Sequence, residues 1–274
     1  MKLTWLGCAS YKIECGDLAL WTDPFVTMAS KADHITSEET FADAYEILLS
    51  HGHFDHAMNV PDYAAKREVR VHCTVTPCKT LLHRGVPEAY LNCCAPGDEF
   101  DIGDAHIRVF QGRHNVPDWR MAVGAVWRSI ASLHGVVNIL KIGHVHRAFP
   151  EAGETVLFEI NCDGERILSM GSPGLPFDEP GMALPEPGMD LLILPYQGLV
   201  NPAPLALKIV ETLRPKAVIL SHHDNAIPPL TAKKVNLSPF IKGMHQQFPE
   251  IVVYNPRFGE AVTPAEVLLN QQAV

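Results

Sequence analysis

Residues 46–59 read EILLSHGHFDHAMN, an apolar run that delivers three histidines and an aspartate within six positions: His51, His53, Asp55 and His56. Alternate residues at a strand end face the same way, so His51 and His53 can converge on one ion. Asp55 and His56 lie just beyond, where the chain turns into a helix, and point to a neighbouring position. Four ligands from so short an arc exceed what one zinc usually takes. The spacing therefore predicts two adjacent metals, or one metal with a carboxylate near its water. The plain alternative is a surface histidine cluster or a helix cap, and the strong apolar strand ahead of H-x-H-x-D-H argues against it.

The composition sets the background. The chain has 274 residues, 47% of them hydrophobic, which suits an ordinary globular protein with a real core. No apolar run is long enough to span a bilayer. No charged start with an apolar core precedes KLTWLG, so no secretory leader is expected. A formal net charge of −9 disfavours broad binding to nucleic acid or anionic membrane. Seven cysteines without a C-x-x-C make a disulfide framework unexpected, and each reads as a small buried apolar residue in a cytoplasmic protein. Fourteen histidines stand out, with further close pairs at His144/His146 and His222/His223.

The opening reads as strands: KLTWL, SYKIEC and LALWTD, with a hairpin turn at Gly16-Asp17 and a stop at Pro24. YEILLS is a buried strand. VRVHCTV, HIRVFQG, NILKIG, MDLLILPY and KAVILS follow as strands, and TVLFEINCDGERILSMG as a hairpin turning at Asp163-Gly164. Helices are expected over part of MNVPDYAAKREV, TPCKTLLHRG and APLALKIVETLRP, and a last one in TAKKVNLSPFIKGMHQQFP, broken near Pro239. Residues 115–138 suit a flexible insertion, and the Gly/Pro-dense stretch 171–188 a long loop over one face. Two β-rich halves, roughly 1–90 and 100–274, are each closed by helices.

The motif SHGHFDHAMN resembles the H-x-H-x-D-H motif of the metallo-β-lactamase superfamily of hydrolases. TDPF, the later strand-end histidines and DLLILP extend the resemblance over the whole chain. They look most like the branch of ascorbate-6-phosphate lactonase-like and N-acylphosphatidylethanolamine phospholipase D-like proteins. The resemblance implies an α/β fold, a four-layer αββα sandwich, as a single domain over 1–274 with metals at one edge between the sheets. It implies His51, His53 and His114 around a first metal, and Asp55, His56 and His222 around a second. His223 is the weaker match for that last histidine. The family's bridging aspartate falls at Ser172, which carries no charge and is a poor bridge between cations. His144 and His146, spaced like His51 and His53, are the candidate substitutes, with Asp178 behind them. Asp23 is expected either to orient a histidine or to cap a turn. Asp190 reads as structural. Tyr196 and Gln197 stand at the expected active edge, and Arg113 could meet an anion.

The expected activity is hydrolysis by a metal-activated hydroxide, with Asp55 and His222 as catalytic residues and one or two divalent ions, Zn, Mn or Fe. The substrate implied is a small phosphorylated, lactone or phosphodiester molecule. No nucleic-acid partner is expected, and a homo-oligomer is compatible with the sequence. Two alternatives stand beside this: a nuclease-type member, which the acidic charge disfavours, and a metal-binding sensor or scaffold without turnover, which Ser172 favours. Ser169, Ser172 and Ser221 lack a nucleophile-elbow pattern, so serine hydrolysis is not expected.

Overall fold

The computed structural model describes residues 1–28, 32–115, 119–130, 133–179, 181–227 and 235–269. The first sheet takes β1 (Lys2–Trp5), β2 (Tyr11–Cys15), β3 (Leu18–Thr22), β4 (Glu46–Leu48), β5 (Arg70–Cys73) and β6 (Leu91–Cys93). The second takes β7 (Glu99–Ile102), β8 (Ala105–Gln111), β9 (Val156–Cys162), β10 (Glu165–Met170), β11 (Leu191–Pro195), β12 (Ala217–Ser221) and β13 (Val252–Tyr254). A short β14 (Ala261–Val262) returns to the first sheet beside β1. The strand orders are β14-β1-β2-β3-β4-β5-β6 and β13-β12-β11-β10-β9-β8-β7.

Alternation along the strands explains the layering. In β11, Leu191 and Ile193 face the opposite sheet, while Leu192 and Leu194 face helices. In β4, Leu48 points between the sheets and Ile47 points outward. Strands buried on both faces read as unbroken apolar runs, which is why LLILP and AVILS lack polar alternation. The outer face of the first sheet is covered by α1 (Phe54–Ala57), α2 (Val60–Lys66) and α3 (Val75–His83) through Phe54, Val60, Tyr63 and Leu81. A helical hairpin follows, α4 (Trp119–Ile130) and α5 (Leu133–Ala148). The second sheet is covered by α6 (Ala203–Leu213) and α7 (Ser238–Gln247) through Ile209, Val210, Phe240 and Met244. The chain is thus an α/β protein with the expected αββα sandwich, and α8 (Pro264–Leu269) follows β14.

Several local expectations hold, and others are corrected. Gly16 (φ +57°) opens the first hairpin turn, and Asp163 and Gly164 (φ +54° and +77°) supply the left-handed pair that a tight hairpin needs. NILKIG is not a strand but lies within α5, and the described residues of 115–138 are mostly helical, 116–118 and 131–132 lying outside the described residues. Residues 231–234 of the expected last helix lie outside the described residues, and Pro239 sits in the first turn of α7, where its missing N–H costs nothing. That helix is followed by another. Cys78 and Cys93 are bonded, their Cα atoms 6.1 Å apart, which corrects the reading of every cysteine as a separate apolar residue. Cys8, Cys15, Cys73, Cys94 and Cys162 are free and buried. Among the described residues, no helix is long and apolar enough to cross a membrane.

The strand directions decide where a site can form. β3 and β4 are parallel, and β1 runs the same way because it reaches β3 through two antiparallel pairings. By the same logic β8 is parallel to β10, β11 and β12. The ends of β1, β3 and β4 meet those of β8, β10 and β12 at one edge. Backbone bonds stitch the sheets there: Val156 N–H donates to Ser50 O (2.9 Å) and His222 N–H to Cys8 O (2.8 Å). The Tyr11 hydroxyl donates to Leu220 O (2.6 Å).

Gly171, just past β10, completes this seam. A Cβ at that position would collide with Ser50 Oγ and stand 2.7 Å from Asp23 Oδ2. Overpacking of this kind costs about 1–3 kcal/mol. Gly171→Ala should therefore lower stability by about that amount, read from the urea midpoint at constant slope. A wild-type midpoint would show that the two loops are not in obligatory contact.

Candidate metal centre

The histidine cluster leaves β4 and enters α1, as its sequence suggested. His51 is buried, and His53 is the N-cap residue of α1 in extended conformation. Donor atoms of His51, His53 and His114 all lie within 4.8 Å of one another. His114 comes from the other sheet, just beyond β8, and its ring centroid is 4.4 Å from that of His53. His51 donates or accepts at Nδ1 with Ser50 Oγ (2.9 Å), while its Nε2 is buried without a hydrogen-bond partner. A buried imidazole nitrogen left unpaired is costly, and a metal ion would satisfy it.

A second group of donors adjoins the first. The His56 ring lies 4.0 Å from that of His51, centroid to centroid. Asp55 Oδ2 stands 3.4 Å from His222 Nε2 and 3.7 Å from His56 Nε2. His222 follows β12 with φ +51°, and its neighbour His223 turns away to stack on Trp5 at 4.9 Å. The structure thus brings His222, and not His223, to the cluster. Cys8 also reaches it: Sγ is 3.5 Å from His222 Nε2, and Cys8, Asp55 and His222 form a second set of donors within 4.8 Å.

Asp23 organises both groups from behind. Its carboxylate accepts the Ser50 N–H (2.8 Å) and the Ser50 hydroxyl (2.6 Å). His56 Nδ1 lies 3.0 Å from Asp23 Oδ2, a charge contact rather than a well-aligned hydrogen bond. Asp23 thus touches His56 directly and reaches His51 through Ser50.

The electrostatics follow from burial and crowding. Burial, then the neighbouring imidazoles, drives His51 well below its ordinary range. Burial and His114 bring His53 down to about 3. His114 is lowered, again chiefly by burial. For His56 burial pulls down, but the charges of Asp23 and Asp55 outweigh it and the value is raised. Asp55 is held well below the usual carboxylate range: burial opposes this, and His56 and His222 overcome it. Burial, with Asp55 and Asp224, pushes the Cys8 thiol well up. At His51, His53, His114 and Asp55 these directions favour the states metal ligation requires, neutral imidazoles and an ionised carboxylate, whereas His56 and Cys8 are shifted toward their protonated forms and would give up a proton on binding an ion.

The remaining expected residues divide. Ser172 stands at the pocket with its Oγ accepting the Asn115 N–H (3.1 Å). His144 and His146 do not act as a strand pair. Two positions apart on a helix they point to different sides, so only His146 lines the pocket, its ring 4.9 Å from that of His53. His144 is exposed elsewhere on α5, and so is Asp178 on its loop. Tyr196 is buried against Phe240, away from the pocket, whereas Gln197 lines it. Arg113 pairs with Glu179. Asp190 is structural, accepting from the Arg166 N–H and Lys216. Sequence reasoning missed Cys8, Ser50 and Asn115. Ser50 could have been found as the residue before His51 at the strand end, but nothing in the spacing marks Cys8.

Comparison with known proteins identifies relatives of the chain. Residues 2–222 match the family described as the β-lactamase superfamily domain. A UPF0173 metal-dependent hydrolase of Carboxydothermus hydrogenoformans is 27% identical over 225 residues, covering 82% of this chain and 85% of the relative. One from Methylocella silvestris is 29% identical over 115 residues, 42% of this chain, and the match spans about half (48%) of that relative. The metallo hydrolase Igni18 of Ignicoccus hospitalis superposes with a TM-score of 0.62 at 18% identity, covering 95% of this chain and 97% of its own. That structural likeness speaks to the fold alone. With the family match running through both sheets and every strand end that bears a donor, the chain belongs to the β-lactamase superfamily.

Proposed function

We propose that this metal-dependent hydrolase acts, as one domain over 1–274, on a small phosphorylated, lactone or phosphodiester substrate. The observation that supports the reading is a pair of adjoining donor groups at one pocket: His51, His53 and His114 within 4.8 Å of one another, and Asp55 with Oδ2 3.7 Å from His56 Nε2 and 3.4 Å from His222 Nε2. The first set would hold one divalent ion and the second set another. Such ions, when bound, acidify water and polarise a carbonyl or phosphoryl oxygen. Asp55, ionised and facing His222, is placed to orient the attacking water and hold its proton. Phe54, Asn115, His146 and Gln197 line the pocket where the substrate would sit. The resemblance to lactonase-like and phospholipase D-like proteins supports the substrate class. The net charge of −9 disfavours the nuclease reading. A sensor or scaffold without turnover is the second reading, favoured by the uncharged Ser172.

The test is turnover on phosphodiester, phosphomonoester and lactone panels, with and without added manganese. Activity is expected on one class, and Asp55→Asn should lower kcat by about 10²–10⁴. Full metal occupancy with no turnover on any class would favour the sensor. His51→Ala should remove metal from the first set, measured as ions per chain; wild-type content would refute the assignment.

A pH dependence follows for the metal-free chain. His51, His53 and His114 are depressed, so between about pH 6.5 and the lower folded values the unfolded chain binds protons that the folded chain refuses. Their contribution makes stability fall with falling pH. His56, raised, contributes the opposite sign, present below about 6.5 and lost as pH rises through its folded value. His51 lies well below its ordinary range and His53 at about 3, the large shifts of the group, so the chelator-treated protein should melt at a lower temperature at pH 5.5 than at pH 7.5. An equal or higher melting temperature at pH 5.5 would contradict neutral imidazoles.

A further inference from the structure

The superfamily pattern leaves one charge unaccounted for. Two dications side by side repel, and at the position where the family resemblance puts an offsetting aspartate this chain has Ser172. Ser172 cannot take over the role: it is uncharged, and its Oγ already accepts the Asn115 N–H. Beside Asp55 and His222 stands a group able to carry the missing charge.

We propose that Cys8 is a ligand of the second metal ion, its thiolate supplying the anion that Ser172 lacks. The inference rests on the two-ion reading above. Its first support is distance. Donors around one tetrahedral zinc stand roughly 3.2–3.8 Å apart, because each lies about 2.0–2.3 Å from the ion. Cys8 Sγ lies against the His222 ring, 3.5 Å from Nε2 and 3.6 Å from Nδ1, His222 Nε2 is 3.4 Å from Asp55 Oδ2, and the three donors all fall within 4.8 Å of one another.

The second support is how firmly Cys8 is held. Its N–H donates to both oxygens of the buried Asp224 (3.1 and 3.2 Å). Its carbonyl accepts from Trp5 Nε1 (3.0 Å) and from the His222 N–H (2.8 Å). The residue sits at φ +48°, a left-handed conformation costly for any side chain with a Cβ. Glycine would hold that backbone with less strain, so the turn does not by itself call for a thiol. His222 and Asp23, at φ +51° and +42°, show the same left-handed backbone at the same edge. Strain gathered at one place is a mark of a functional site.

Burial separates a ligand from a nucleophile. Cys8 is 2% exposed, whereas Asp55 and His222 are 14% and 12% exposed at their side chains. A nucleophilic sulfur must touch substrate, and this one is covered. A ligand needs only to touch the ion. On binding, the thiol loses its proton to solvent and the sulfur lone pair is donated to the ion, with no change of oxidation state.

Cobalt(II) reports thiolate ligation directly. The full-length chain, stripped with chelator, is titrated with cobalt(II) and followed by absorbance and by ions bound per chain. Two ions should bind, and the second equivalent should bring in a thiolate-to-cobalt charge-transfer band in the near ultraviolet. Cys8→Ser and Cys8→Ala should lose the band and bind the second ion at least about ten-fold more weakly, one ligand's worth by the tenfold-per-1.4 kcal/mol rule. Cys8→Asp should keep two ions without the band. Two ions without a charge-transfer band in the wild type, or a band that survives in Cys8→Ala, would overturn the proposal and leave the two-ion reading standing. Binding of one ion or none would overturn both. The wild-type spectrum alone can refute the assignment, so a variant that fails to fold does not shelter it.

Discussion

The carboxylate of Asp23 is the constraint on which the rest of the site depends. It is buried and satisfied by Ser50 through two hydrogen bonds, with His56 against its other side. Hydrogen bonds to a charged group contribute about 1.5–3 kcal/mol each, and stripping the partners from a buried charge costs several kcal/mol. The loop after β3 is therefore locked to the loop after β4. Ser50 passes that order to His51, whose Nδ1 it engages, so the opposite nitrogen is left for the cluster. The Asp23 carboxylate thus touches one donor group directly and the other through Ser50.

The same region shows why the edge is built from awkward backbone. Asp23, Cys8 and His222 each follow a strand and each take a left-handed conformation. A strand that continued straight would carry these side chains past one another. Turning sharply within three residues of the strand end brings them back across the gap between the sheets. Gly171 then closes the floor, because only a residue without a Cβ lets the β10 loop lie against Ser50 and Asp23.

Much of this was legible in the sequence because it is local. H-x-H-x-D-H after an apolar strand, turn residues at Gly16-Asp17 and Asp163-Gly164, and doubly buried strands all leave a mark within a few residues. NILKIG misled for a physical reason: a short apolar run fits a buried strand or a helix equally well. In the hairpin of α4 and α5, moreover, Trp119, Trp127 and Leu140 are exposed, so hydrophobicity there does not trace a core-facing stripe. His146 could be placed only once α5 was known to be a helix docked by Ile142 and Phe149. Cys8 stands 214 residues from His222, and the pairing is created by the parallel arrangement of β1 with β3 and β4. Nothing short of the topology reveals it. The Cys78–Cys93 bond was hidden in the same way, since its spacing matches no framework.

The two sheets contribute unequal halves to the cluster: His51, His53, Asp55 and His56 from the first, His114 and His222 from the second. An ion shared between them would therefore be a cross-link as well as a reagent. Ligand binding to the folded state alone adds about 2.7 kcal/mol at a hundred-fold excess over the dissociation constant. Here that stabilisation would fall across the seam where Val156 meets Ser50 and His222 meets Cys8. Metal supply in the surroundings would then govern how long the folded chain survives proteases, independently of whether any substrate is present.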